Sequence, residues 1–167
     1  MHRRSAFRLT STLGISALLS LAVINVTRAD ESIRVLMPTP LAVNNDVPAK
    51  VKEECHDLGR VLPLSIARGN RNVVLVNSAK ELTARTGRYF LLEIVEIKAR
   101  GGGVWSGPKH MLVRGIAFAD GKQVADVEAE RGSTMAFSAC SSLEKVERVL
   151  GQDLAKWLIS PKPHDHL

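Results

Sequence analysis

The sequence predicts a single α+β domain, in which a mostly antiparallel sheet with a three-strand meander carries helices packed on one face. Three observations indicate this class. Three strand-like segments follow one another in the second half of the chain, and Asp120-Gly121 joins two of them as a tight hairpin turn. A long amphipathic segment comes after them. The chain has 167 residues, 45% of them hydrophobic, which is enough for one domain with a buried core.

The first half of the domain predicts strands and helices in alternation. Residues 33–37 are β-branched and apolar and precede two prolines, which is typical of a strand. Asn45-Asp46 is a helix-start signal, and apolar residues then recur at helical spacing until Gly69-Asn70. In order, we predict a strand over 33–37, a helical region over 45–70 with a break at 59–63, a short strand over 72–77 and one helical turn at 80–82.

The second half predicts the meander and a final helix. Ser141 and Glu144 have the spacing of a capping box, and apolar residues follow at helical positions as far as Trp157-Leu158. Val149 belongs to this apolar side, whereas Glu147 is assigned to the polar side and Glu144 and Arg148 to an i,i+4 ion pair. We predict strands over 88–99, 111–119 and 122–131, and a helix that begins at Ser141 and ends before Pro161.

The N-terminal residues have the organisation of a secretory signal peptide. Arg3, Arg4 and Arg8 form a basic start, an apolar run covers 13–26, and Thr27-Arg28-Ala29 supplies small residues for cleavage. The apolar run is short for a membrane span, so we expect cleavage and no span afterwards. The alternative is that the signal is not cleaved and its apolar run stays as a membrane anchor. The signal indicates a periplasmic or secreted protein.

This interpretation divides the chain into a signal peptide over 1–29, the α+β domain over 30–160 and a polar tail over 161–167. The signal segment holds four of the 23 basic residues and no acidic residue. Its removal lowers the formal net charge from +6 to about +2, and the remaining charges are mixed in sign. A nucleic-acid partner needs a basic surface, so we predict no nucleic-acid binding.

The two cysteines, Cys55 and Cys140, are predicted to form a disulfide, because an exported chain folds in an oxidising compartment. On the chain-entropy model, a bridge that closes so long a loop stabilises the fold by roughly 4 to 5 kcal/mol. The alternative is that Cys140 stays reduced. A helix N-terminus lowers the pKa of a thiol, and His56 or His110 would then act as the base for a cysteine nucleophile.

The glycine-rich segment 100–110 is the most distinctive part of the sequence. Three glycines precede Trp105 and Ser106, and Lys109 follows shortly after them. We interpret it as a candidate binding loop, whose aromatic anchor faces an envelope protein, a glycan or a lipid headgroup. The alternative is a wide hairpin connection in which Trp105 folds back over the edge of the sheet.

Arg131 is the fourth candidate binding residue and begins the connector Arg131-Gly132-Ser133-Thr134. A connector next to a helix N-terminus is suited to binding an anion. The alternative is that the connector is only a polar link that caps the helix. His164 and His166 supply too few ligands for a metal site. We find no motif for a cofactor or a catalytic triad, and therefore predict no metal and no cofactor.

Three segments give the chain a resemblance to a known family. They are Gly102-Gly103-Val104-Trp105-Ser106-Gly107-Pro108-Lys109, the pair Arg131 and Ser133, and a helix with Cys140, Leu150-Gly151, Asp153 and Trp157-Leu158. On these residues the chain resembles an uncharacterised family of small exported bacterial proteins over about residues 50–161. The resemblance implies an export signal, one small α+β domain and a disulfide, and it implies no known activity.

Two positions depart from that family. Relatives tend to have a glycine pair where this chain has Met135-Ala136, and often a cysteine where it has Val146. The first departure weakens a shared binding role for the connector, and the second leaves Cys55 and Cys140 as the simplest pair.

Together these features favour an exported cell-envelope protein that acts as a non-catalytic binding or accessory module. The rival hypothesis is a hydrolase or transferase with Cys140 or Ser106 as its nucleophile. A purely structural envelope protein is a third class.

Overall fold

The computed structural model describes residues 32–83, 86–99, 108–133 and 138–167. The signal segment 1–29, the core of the glycine-rich segment and the connector residues 134–137 lie outside this part of the chain. Its strands are β1 (Ile33–Leu36), β2 (Leu41–Asp46), β3 (Val73–Val76), β4 (Arg88–Ala99), β5 (Lys109–Ala119), β6 (Lys122–Ser133) and β7 (Asp165–His166). Its helices are α1 (Ala49–Glu54), α2 (Val61–Gly69), α3 (Ala79–Leu82) and α4 (Ala139–Trp157).

All of these strands join one sheet in the order β3-β1-β4-β5-β6-β7. Strand β2 pairs with the later part of β4, along the same edge that pairs with β1 at its beginning. The two long ladders, β4–β5 and β5–β6, are antiparallel and form the predicted meander. The short ladders of β1, β2, β3 and β7 are parallel. The fold is therefore α+β, with a mostly antiparallel sheet.

The main core lies between the sheet and the helix pair α2 and α4. Alternate residues of β5 face this side, and Met111 and Val113 are fully buried there. Phe90 of β4 packs against Trp157 of α4, with ring centroids 5.7 Å apart. The helices run in the same direction and approach closely, because small residues such as Gly151 lie where they touch.

A smaller apolar cluster lies on the opposite face of the sheet. Tyr89 stacks on Phe118 with ring centroids 4.6 Å apart, and Leu82 of α3 is buried beside them. The single turn α3 thus covers the face away from the main helices. The rest of that face is solvated, with ion pairs such as Arg114 to Glu128 at 2.9 Å.

The structure corrects several details of the sequence analysis. Helix α4 begins at Ala139, two residues before the predicted start, because Ser138 accepts the amide hydrogen of Ser141 as the N-cap. Val149 is half exposed rather than buried, and Glu144 forms no ion pair with Arg148 within the described residues. Strand β2 replaces the predicted start of the first helix, since Pro48 delays helix formation to Ala49.

The polar tail 161–167 is attached to the domain. It forms β7, and Leu167 exchanges backbone hydrogen bonds with Glu128 and Glu130 of β6. His164 Nδ1 lies 3.0 Å from Asp126 Oδ2, so that a side-chain pair reinforces the backbone ladder. A sequence pattern of two residues is too short to predict such a strand.

No helix among the described residues is long and apolar enough to cross a lipid bilayer.

We expect Gly115→Ala to destabilise the domain by about 1–3 kcal/mol, because overpacking a dense core has that cost. A Cβ at Gly115 would overlap the ring of Phe90, which is fully buried and has no room to move. Gly132→Ala is the matched control, since its Cβ meets only the partly exposed ring of His110. Urea unfolding measures the stability of both variants. Equal unfolding midpoints for the two would contradict this packing.

Candidate functional site at one end of the sheet

A disulfide joins Cys55, at the end of α1, to Cys140, in the first turn of α4. The Cα atoms are 5.3 Å apart, within the range that a disulfide spans. This confirms the predicted pair, and free cysteines are absent from the described residues. With its sulfur bonded, Cys140 has no thiolate to offer as a nucleophile. The pairing also places the protein in the class that folds in an oxidising compartment.

Next to the disulfide, the buried carboxylate of Glu147 caps helix α2 from outside that helix. Its Oε1 accepts the amide hydrogen of Gly59 and its Oε2 that of Leu62, both at 2.9 Å. Arg60, the N-cap residue of α2, forms no side-chain hydrogen bond to the helix. The first backbone amides of α2 therefore need another acceptor. Glu147 is only 1% exposed and supplies that acceptor where the helix dipole favours negative charge.

Gly59 is required at this junction for two reasons. Its φ of +82° is a left-handed conformation that glycine adopts at little cost. A Cβ there would also collide with the carbonyl oxygen of Thr39, whose own amide donates to the Gly59 carbonyl at 2.7 Å. The backbone of Gly59 is therefore held between Thr39 on one side and Glu147 on the other.

Burial raises the pKa of the Glu147 carboxyl above its usual range, and the hydrogen bonds from the backbone amides offset only part of that rise. Glu144, one turn earlier on α4, adds a like charge that acts in the same direction. Acidic residues of α1 and its following turn, Glu54 and Asp57, line the same small cavity beside the disulfide. The native state thus favours a protonated Glu147 more than the unfolded state does.

The candidate binding segment begins and ends at the same end of the sheet. Ala99, Lys109 and Ser133 are neighbours in register across β4, β5 and β6. Residue 99 directly precedes the glycine-rich segment, residue 109 lies near the C-terminal end of that segment, and residue 133 lies in the connector to α4. Trp105 and Ser106 lie outside the described residues, so their predicted binding role stays a prediction.

Lys109 is fully buried on the helix side of β5. A buried lysine is unusual, because taking an ammonium group out of water is costly unless polar groups surround it. The sequence predicted Lys109 as a candidate binding residue beside the aromatic anchor. In the structure its side chain is buried at the end of the sheet, and its binding role stays a prediction.

Arg131 of β6 pairs with Asp153 of α4. Its Nε lies 3.0 Å from Asp153 Oδ2 and its Nη2 2.9 Å from the same oxygen, and its Nη1 donates to the Glu130 carbonyl. This ion pair, in which two guanidinium nitrogens share one carboxylate oxygen, joins β6 to α4. The structure therefore gives Arg131 an ion-paired position on the helix side of the sheet, and its predicted binding role stays a prediction.

No group of three or more histidine, cysteine or acidic side chains with metal-binding geometry occurs within 32–83, 86–99, 108–133 and 138–167. His164 and His166 belong to β7 and its approach, where His164 is engaged by Asp126.

Glu147 is the residue that sequence reasoning missed. It lies four positions after Leu143 and three before Leu150, which are both buried. An acidic residue at that spacing lies on the buried face of its helix. That position was the available signal, but nothing in the sequence identified the amides of Gly59 and Leu62 as its partners.

No family model matches the chain, and no curated protein matches its sequence. The resemblance to the uncharacterised exported family stays a prediction that rests on its motifs.

The raised pKa of Glu147 predicts a defined pH dependence. Between the unfolded and folded pKa values the native state binds more protons, so the contribution of Glu147 to stability falls as pH rises through that window. The stability of the wild type relative to Glu147→Gln should therefore decrease from acidic to neutral pH, by at most about 1.4 kcal/mol per pH unit.

Urea unfolding at several pH values measures this difference. Glu81→Gln is the matched control, because it removes one exposed charge from α3 and contacts neither Glu147 nor the amides of α2. If the stability of the wild type relative to Glu147→Gln instead increased with pH, the hydrogen bonds would lower the pKa of Glu147 by more than burial raises it.

Proposed function

We propose that this chain is an exported cell-envelope protein, located in the periplasm or secreted, that acts as a non-catalytic binding or accessory module. The observation that carries the proposal is the Cys55–Cys140 disulfide, which uses both cysteines for structure and is typical of exported proteins. The predicted signal segment 1–29 supports the same location. The module would act through Trp105 and Ser106.

The arrangement of the sheet supports a binding role for the glycine-rich segment. Both of its ends are fixed, by the β4–β5 ladder and by the buried side of β5. A connection held by a rigid sheet at both ends is the usual place for recognition residues. An aromatic side chain there supplies a large contact area for a partner protein, a glycan or a lipid headgroup.

Replacing Trp105 tests this function. The protein is first purified from the periplasmic fraction, where its mass should match a chain without residues 1–29 and both cysteines should alkylate only after reduction. We expect Trp105→Ala to weaken binding of an envelope partner captured by crosslinking in living cells. A central aromatic anchor contributes about 2 kcal/mol or more, which corresponds to roughly thirtyfold in affinity.

The matched control is Lys122→Ala, because Lys122 is exposed at the opposite end of the sheet. The far-ultraviolet circular dichroism of both variants should equal that of the wild type. Retention of every crosslinked partner by Trp105→Ala would refute a binding role for this segment. Labelling of Ser106 by an electrophilic probe at neutral pH would instead favour the rival hypothesis of a serine hydrolase or transferase.

A further inference from the structure

A groove between α2 and α4 is lined by basic and polar side chains. Its lining residues are Ser65, Arg68, Gly69, Arg148 and Gln152, and none of them is acidic. The cavity has a volume of about 330 Å³, which is ample for a phosphate group and part of the molecule that carries it. It lies on the outer side of the helices and is distinct from the end of the sheet described above.

The two arginines of the groove come from different helices and have no carboxylate partner. Arg114 and Arg131 each form an ion pair with an acidic side chain, with a nitrogen–oxygen distance of 2.9 Å in both pairs. Arg68 and Arg148, by contrast, form no ion pair within the described part of the chain. Two guanidinium groups that line one groove without an acidic residue in its lining create a local excess of positive charge.

Ser65 provides a second and independent observation. Its side chain is buried, with 3% of the residue exposed, and its hydroxyl oxygen has no hydrogen-bond partner among the described residues. A buried hydroxyl without a partner destabilises a protein, so its presence in the wall of a basic groove calls for an acceptor or donor that the chain itself does not supply.

Close contact between the helices fixes this geometry. A Cβ on Gly151 would come within 2.5 Å of the Ser65 Cβ and 2.7 Å of the Leu62 carbonyl oxygen. A Cβ on Gly69 would come within 2.7 Å of the Ala155 Cβ. The helices therefore have little freedom to separate or slide, and the side chains above this contact start from a rigid base.

We propose that the α2–α4 groove binds a phosphate-type oxyanion, with Arg68 and Arg148 as its charge partners and Ser65 and Gln152 as neutral hydrogen-bonding groups. Guanidinium groups donate paired hydrogen bonds that match the oxygens of phosphate. A serine hydroxyl and a glutamine amide complete the set of donors around such an anion. The shared chemistry is a phosphate group, either free or carried by a lipid headgroup. This site is separate from the binding role proposed for Trp105.

Titration with inorganic phosphate tests the proposal on the full, oxidised protein. Amide chemical shifts measured by nuclear magnetic resonance should show saturable changes centred on Ser65 and Gln152. We expect Arg148→Gln to weaken this binding at least tenfold. Arg114→Gln removes the same charge from the opposite face of the sheet, is ion-paired in the wild type, and should leave phosphate affinity unchanged.

Ser65→Ala separates a ligand role from a structural one. Removing a buried hydroxyl without a partner should raise the thermal midpoint by up to a few degrees. The same change should weaken phosphate binding severalfold. A structural hydroxyl would have the opposite effect on the midpoint, so a lowered midpoint would overturn the role assigned to Ser65.

Vesicles distinguish the two sources of phosphate. Binding to vesicles of phosphatidylglycerol but not of phosphatidylcholine, with the same loss in Arg148→Gln and no response to inorganic phosphate, assigns the site to a lipid headgroup. Saturable binding of inorganic phosphate assigns it to a free phosphate group. The proposal is overturned if neither probe binds saturably, or if Arg114→Gln weakens binding as much as Arg148→Gln does.

Discussion

The attachment of the segment 55–62 to α4 is the constraint on which the helix side of this protein depends. Two kinds of bond make it: the covalent bridge from Cys55 to Cys140, and the two hydrogen bonds from the amides of Gly59 and Leu62 to Glu147. The bridge limits how far the segment can move. The carboxylate sets the direction in which α2 begins, because it accepts amides that point along the axis of that helix.

Several features follow from this attachment. Once α2 begins at a fixed point beside α4, the two helices run in the same direction and meet at Gly151 and Gly69. Their close contact buries Leu62 and Ile66 against the sheet and brings Arg68 and Arg148 to one groove. The same α4 fixes β6 through the pair of Arg131 and Asp153. One helix thus connects the disulfide, the main core and the end of the sheet.

The sequence predicted the fold class, the meander and the disulfide, because these depend on local patterns and on composition. Alternation in β6, the turn at Asp120-Gly121 and the cysteine pair each leave a signal in the sequence. The cap of Glu147, the burial of Lys109 and the pair of Arg131 depend instead on contacts between distant elements. Charged residues are usually solvated, so Glu147 was assigned to the polar side of its helix. Strand β7 was not predicted, because its two residues have no strand pattern of their own. They form a strand only through their pairing with β6.

Hydrogen exchange at the amides of Gly59 and Leu62 tests whether Glu147 accepts both of them and so caps α2. Amides at the start of a helix have no partner within the helix and exchange quickly when they face water. If Glu147 accepts both, these two amides exchange slowly in the oxidised wild type and quickly in Glu147→Ala, while core amides of β5 stay protected in both. Fast exchange of Gly59 and Leu62 in the wild type would contradict the account.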